Sequence, residues 1–304
     1  MLILINGLPH FSRIMASDLN EFDAKNKYIF LNTYDSKWAQ IKFILLLPFC
    51  GAVISFNGVS DKSKSLDWVI KMKKKLIMQW QGTDVQYAAN RHKDGSINRK
   101  YIDYSTHLIS SSWFKDELKD IVDHFVYAPF SYVKEAKMGE KYTKVSIISY
   151  IANGREKFYG WDELIEFAKN QPEIEITIVG TEGKGLEYPI NVKCLGWVNE
   201  SKFINLLKNN PIFVRLTDHD GKSISVAQAL SYGCEVIWTY EFDNCYKIEK
   251  NVLSLQNQIT FLQNRIEERG LIPNLENIKF AEDNLLRVPV MQNYCSIFNS
   301  ILND

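Results

Sequence analysis

TDHDGKSISVAQALSYGCEVI, residues 217–237, decides the fold of this chain. It closes an apolar strand, Ile212-Phe213-Val214-Arg215-Leu216, and passes through a polar turn into a helix. Tyr232-Gly233 then leads to a second strand at residues 235–239. Strand, turn, helix and strand in this order form a unit of a parallel sheet covered by helices. The turn brings Asp220, the backbone N–H groups around Ser223 to Ser225, and Gln228 onto one rim. Free N–H groups at a helix start, backed by the helix dipole, make a site for phosphate or diphosphate.

Working outward, the same alternation covers the rest of the chain. Upstream of the signature come strand VSIISYI, loop ANGREKF, helix YGWDELIEFAKN, strands IEITIVG and NVKCLGWV, and helix ESKFINLLKN. In the first half, short β-rich runs lie at residues 2–6, 28–32, 52–56, 76–80, 107–110 and 124–127. Helical stretches around 13–22, 36–46 and 65–74 separate most of them. A polar stretch, residues 137–144, resets the pattern between the halves. The expected fold is α/β, with two Rossmann-like, doubly wound domains facing across a cleft and ligands at the carboxyl ends of the strands. The expected boundaries are 1–140, 141–283, and a C-terminal helix at 284–304 that returns to the first domain.

Size and composition agree with this. A chain of 304 residues holds two ordinary domains. Hydrophobic residues make up 46% and charged residues 24%, the balance of a soluble globular protein. Lys+Arg and Asp+Glu stand at 36 each, so no global field draws the chain to nucleic acid, and an anionic ligand needs a local cationic pocket. Five scattered cysteines without a CxxC pair suggest buried thiols in a reducing compartment. MLILINGLP lacks the basic lead of a signal peptide and reads as a first buried strand. The longest apolar run, residues 43–56, contains Pro48, Cys50 and Gly51 and is too short for a bilayer. The expectation is a soluble, cytoplasmic protein.

The signature at 217–237 closely resembles the donor site of family-4-type (group 1) retaining glycosyltransferases of GT-B fold. That signature has an acidic residue, Gly, small residues, an apolar stretch, then Glu-Ala and a later Gly. Its acidic and Glu positions fall on Asp220 and Gln228. The resemblance implies that Asp220 lies by the donor sugar and that Gln228 faces the ribose, an amide where relatives carry a carboxylate. A helix residue unrelated to ligand is the plainer alternative for Gln228. Gly221, Lys222, Ser223, Ile224 and Ser225 supply cation and amides for the diphosphate. Relatives also place an Arg and a Lys in the loop after the first strand of the second domain, which assigns Arg155 and Lys157 to the diphosphate. The familiar Lys-Gly pair appears here as Tyr159-Gly160, and for Lys157 a solvated loop cation remains the alternative. Gly180 and Gly196 fall where the family brings backbone close to the nucleoside. Trp197 either stacks on the base or packs. The DHD at 218–220 also has the form of a metal-binding DXD motif, but its place late in a second α/β unit argues against metal. No metal and no cofactor are expected.

MQWQGTDV, residues 78–85, is similar to the apolar strand followed by His-Gly-Thr-Asp-Val of the same family, with Gln81 at the His position. Gln81 is then a sugar contact. Asp84 orients an acceptor hydroxyl or caps the following helix. Gly7 is what remains of the family's glycine-rich loop after the first strand. His10 stands where inverting GT-B enzymes hold a general base, or is a loop-packing histidine. Lys71, Lys73, Lys74 and Lys75, near Trp68 and Met72, read first as a solvated helix end, with contact to anionic lipid at the inner face of a membrane as the alternative.

The resemblance implies a metal-independent hexosyltransferase (EC 2.4) of polysaccharide biosynthesis, moving sugar from a nucleotide-diphosphate donor to a glycan or glycolipid hydroxyl with retention. The catalytic candidates are Asp220, Asp84 and His10. Glutamine at both 81 and 228 keeps open an inactive GT-B module that binds a glycan or protein. A GT-B-type nucleotide-sugar epimerase is the other alternative.

Overall fold

A computed structural model describes residues 1–56 and 64–303. The chain forms two compact units, residues 1–131 with 288–304, and residues 132–287. Each unit is built on one six-stranded parallel sheet among the described residues.

In the first unit the strands are β1 Leu2–Asn6, β2 Lys27–Phe30, β3 Cys50–Phe56, β4 Lys75–Trp80, β5 Thr106–Ile109 and β6 Phe125–Tyr127. Their order is β2-β1-β3-β4-β5-β6. The strand order reverses between β1 and β3, which is where open α/β sheets leave a crevice for ligand. Ile54, Ile77, Met78 and Trp80 are fully buried, as strands covered on both faces must be. Leu4, Val53, Val85, Phe114 and Leu118 join them in the core.

The second unit contains β7 Ser146–Tyr150, β8 Glu175–Val179, β9 Val192–Cys194, β10 Ile212–Arg215, β11 Glu235–Trp238 and β12 Cys245–Lys247. Their order, β9-β8-β7-β10-β11-β12, is the dinucleotide-fold order with its reversal between β7 and β10. Helices Trp161–Asn170 and Val252–Glu268 cover one face through Leu164, Ile165, Leu255, Ile259 and Leu262. The strand β12 and the helices Val252–Glu268 and Leu275–Asn284 are elements that the sequence pattern does not reveal.

The break between the units falls before the polar stretch 137–144. Backbone bonds from Lys137 N to Ser231 O and from Tyr142 N to Leu271 O tie that stretch into the second unit. The C-terminal helix Arg287–Asn303 packs onto the first unit. Tyr294 Oη donates to Gln79 Oε1 at 2.9 Å, the Phe298 ring meets Tyr28 at 6.0 Å, and Lys75 Nζ reaches the Ile301 carbonyl at 2.7 Å. The last contact places a cation on the carbonyl end of a helix dipole.

Candidate functional site

The reversal point of the second sheet gathers the chemistry. Val214 lies opposite Ser149, so one step further Arg215 comes beside Tyr150 at the carboxyl ends of β10 and β7. Arg215 is the only charged residue of an otherwise apolar, buried strand. Its guanidinium forks onto Asp220, Nε to Oδ2 at 2.5 Å and Nη2 to Oδ1 at 3.1 Å, and Nη1 reaches Ser225 Oγ at 3.4 Å. Burial opposes the Arg215 charge, but the Asp220 carboxylate outweighs it and holds the pKa above the usual value. Ser223 Oγ caps the helix Ile224–Ser231 at Val226 N, 3.4 Å away, and lies 3.0 Å from Ser225 Oγ. The first-turn amides that follow lack intrahelical partners by the geometry of any helix start.

Tyr159 sits between two guanidiniums. Arg215 lies 5.3 Å from its ring centroid and Arg155 5.7 Å from it. Arg155 is exposed and lies closer still, 4.0 Å, over Phe158. The Tyr-Gly that replaces the familiar Lys-Gly pair is therefore an aromatic surface flanked by two cations, which cation–π attraction and packing keep in place.

The loops at this edge of the sheet are knitted together. Lys250 Nζ bonds the Lys157 carbonyl at 2.7 Å and Asp218 Oδ1 at 2.6 Å, and Asp218 N donates to Phe158 O at 3.1 Å. Thr181 Oγ1 donates to Glu156 Oε1 at 2.9 Å, and Gly180 N donates to Gly196 O at 2.7 Å. Gly180 has φ 101°, and a Cβ there would come 2.4 Å from the Ile151 carbonyl oxygen, so only glycine lets these two loops approach. Lys222 is half-buried, with its ammonium 5.7 Å from the Phe242 ring. Burial lowers its pKa to about 8, against the pull of Asp243.

Asp220, Ser223 and Ser225 thus come together with Arg215, with Arg155 one ring away. Gly221 and the exposed Ile224 lie within the same turn. Lys157 is exposed and enters the network through its carbonyl. Trp197 is 82% exposed, the state of a side chain without a packing role. Gln228 has a contact of its own. Its Nε2 lies 3.4 Å from Glu200 Oε1, and it lines a pocket of about 350 Å³ with Glu135, Glu200 and Tyr232. Sequence reasoning misses Arg215, Tyr159 and Lys250. A lone arginine ending a buried strand is the available signal for the first.

In the first unit, Asp84 is 4% exposed and its carboxylate accepts from Gly82 N at 2.7 Å and Gln81 N at 3.1 and 3.2 Å. Burial raises its pKa while these backbone bonds pull it down. Between its two readings, the geometry is that of the residue that fixes the turn into helix Thr83–Lys93. Gly7, at φ 114°, lets β1 end against β3, since a Cβ would meet the Phe56 carbonyl at 2.1 Å. His10 is exposed in the first turn of helix Pro9–Phe22, edge-on to Phe11. Among the described residues, buried polar atoms without a partner collect along this sheet's carboxyl edge: Asn6 Oδ1 at the end of β1, Gln79 Nε2 and Gln81 Nε2 at β4, and Ser110 Oγ and Ser111 Oγ after β5. Buried polar atoms are ordinarily paired, and a cluster that is not marks a place for outside hydrogen-bond partners.

Comparisons with known proteins bear on the fold. No protein-family model matches the chain, and no curated protein matches its sequence. Among solved structures, it is similar to a sucrose-phosphate synthase from Thermosynechococcus elongatus, with TM-score 0.71 and 7% identity over 100% of this chain and 99% of that one. A glycosyltransferase from Rickettsia africae gives TM-score 0.67 and 11% identity over 100% and 99%. The lipopolysaccharide outer core galactosyltransferase WaaB gives TM-score 0.63 and 14% identity over 99% and 100%. The chain spans only 61% of the matched chain of the GtfA/B complex and 58% of TarM. The pneumococcal O-GlcNAc transferase GtfA, solved with UDP and GlcNAc, is matched over 60% of its length. In fold, the two doubly wound sheets are thus similar to those of solved glycosyltransferases, the GT-B arrangement that the signature at 217–237 implied.

Proposed function

We propose that this protein is a glycosyltransferase that moves a sugar from a nucleotide-diphosphate donor to a hydroxyl of a glycan or glycolipid, with retention and without metal. The observation that carries the reading is the Arg155–Tyr159–Arg215–Asp220 arrangement at the reversal point of a dinucleotide-type sheet. Arg155, Lys157, Lys222 and the helix start at Ser223 to Ser225 meet the departing diphosphate, where fixed positive charge and amide dipoles stabilise developing negative charge. Asp220, oriented by Arg215, accepts from sugar hydroxyls. Both carboxylates of the DHD sequence already have cations, Lys250 on Asp218 and Arg215 on Asp220, and this favours chemistry without a divalent ion. On the acceptor side, the orphaned amides and hydroxyls of Asn6, Gln79, Gln81, Ser110 and Ser111 suit a polyhydroxyl acceptor, with His10 as a hydrogen-bond partner and Asp84 positioning the Gln81–Gly82 backbone. The UDP and GlcNAc bound to the pneumococcal GtfA agree with this class of donor.

The test is a panel of nucleoside diphosphate sugars, first for thermal stabilisation and then for release of nucleoside diphosphate in excess chelator. Ligand that binds the folded state raises the melting temperature in proportion to the logarithm of its concentration. Stabilisation followed by release supports the reading. Binding without release defines an inactive binding module, and interconversion of free nucleotide sugars defines an epimerase.

A further inference from the structure

The helix Lys37–Leu46, KWAQIKFILL, is apolar at seven of its ten positions, yet only Phe43 is buried. Trp38 is 81% exposed, Ile41 49% and Leu45 66%, and these positions share one helical face. The turn Leu47–Phe49 continues this surface with Phe49 at 76%. A soluble helix ordinarily turns its apolar stripe inward, and a contiguous apolar face turned to water marks an interaction surface.

The helix itself carries charge of one sign. Lys37 and Lys42 lie on the same helix, and no acidic residue occurs from 36 to 56. Helix Ser65–Lys71 packs beside it, and Lys74 Nζ binds the turn directly, at 2.9 Å from Pro48 O and 2.8 Å from Cys50 O. Along that second segment Lys64, Lys71 and Lys73 are exposed, together with Trp68 and Met72, and Lys71 Nζ lies 4.7 Å from the Trp68 ring. Its one acid, Asp67, is neutralised by Lys100 at 2.7 Å.

We infer that this face, Trp38, Ile41, Leu45 and Phe49 rimmed by Lys37, Lys42, Lys71 and Lys73, docks on an anionic lipid surface. Apolar side chains sink into the interface while lysines meet the headgroups, which is how amphipathic segments bind membranes without crossing them. A second copy of the chain is the poorer occupant, because a two-fold contact would set the lysine rim against itself. The docking goes beyond the proposed sugar transfer and does not depend on it.

Sedimentation with phosphatidylcholine vesicles, with and without phosphatidylglycerol, tests this on the full chain without donor or acceptor. Binding should require the anionic lipid and weaken with salt. Each of Lys71→Gln and Lys73→Gln should weaken it about fivefold at low salt. Trp38→Ser combined with Phe49→Ser should abolish it with an unchanged thermal melt, since both side chains are exposed. Equal binding to neutral vesicles, binding retained by the serine variant, or a dimer by light scattering that the same variant dissociates would each overturn the inference. Loss of sugar transfer with vesicle binding intact would count against the enzyme reading alone.

Discussion

Arg215 holds Asp220 at two points, Nε to Oδ2 and Nη2 to Oδ1, with side-chain exposures of 8% and 13%. A planar fork on a carboxylate fixes the orientation of both groups. Removing one partner of such a pair strands the other charge in a low-dielectric setting, which costs about 3–5 kcal/mol. Arg215→Ala is therefore expected to lower unfolding free energy by that order in urea titration. Arg215→Lys should keep part of the stability and lose most of the turnover, because a point charge does not orient both oxygens. Equal turnover in the lysine variant would make the pair structural only.

The frame of this molecule is legible in the sequence for a physical reason. Strands such as β3 and β10 are buried on both faces and read as continuous apolar runs, while the helices between them carry the longer period. Short strands at a sheet edge lack that contrast: β12, Cys245–Lys247, has only half-exposed or exposed residues and no apolar run. The helix Val252–Glu268 is hidden because its buried positions, Leu255, Ile259, Leu262 and Ile266, are diluted by the glutamines and asparagines between them. The turn into helix Ile224–Ser231 is readable from its Asp, Gly and Ser. Its partner Arg215 is not, since an arginine in a strand does not announce which carboxylate it will meet. Gln228 shows the same limit, because the helix position is evident but not its neighbour Glu200.

Arg155 tests the donor assignment. It is exposed, and its guanidinium lies against the Phe158 and Tyr159 rings, so its replacement should leave the fold intact. Arg155→Ala should weaken nucleoside diphosphate binding by about 1.5–3 kcal/mol, the worth of a charge-assisted hydrogen bond. Calorimetric titration reads this directly, and wild-type affinity would remove Arg155 from the site.

Lys222 should give the proposed donor site a pH dependence. With its pKa lowered to about 8, it is largely charged at neutral pH and loses its proton as pH rises through that value. A bound diphosphate favours the charged form, so binding should take up a proton near pH 8 and weaken above it. Titrations in buffers of different ionisation enthalpy measure that uptake. Lys222→Met should abolish it, and uptake unchanged in this variant would assign the proton to another group.

His107 sets an acid limit on the first unit. Trp80 Nε1 donates to His107 Nδ1 at 3.1 Å, and Nε2, then carrying the proton, lies 3.0 Å from the Ile102 carbonyl. Burial lowers the imidazole pKa from 6.5 to about 4, with the Ile102 bond opposing. The unfolded chain therefore binds the extra proton first. The stabilising contribution is complete above pH 6.5 and is lost as pH falls towards 4, on the order of 3 kcal/mol in all. His107→Gln should be less stable at neutral pH and flatter across this window in thermal melts.

Gln228→Glu separates the two readings of that position. The new carboxylate would stand beside Glu200, which is partly exposed and already paired with Lys134 at 2.5 Å. Repulsion in so solvated a setting is weak, so the melting temperature should fall only slightly at neutral pH. If the residue turns to a donor ribose, the carboxylate restores a charged acceptor for its hydroxyls, and affinity for a nucleoside diphosphate should hold or rise. Inorganic pyrophosphate has no ribose and is the control, since its affinity should not rise with the substitution. A parallel change for both ligands, or a loss confined to the nucleoside diphosphate, would leave Gln228 as a residue of the Glu135–Glu200 pocket with no part in donor binding.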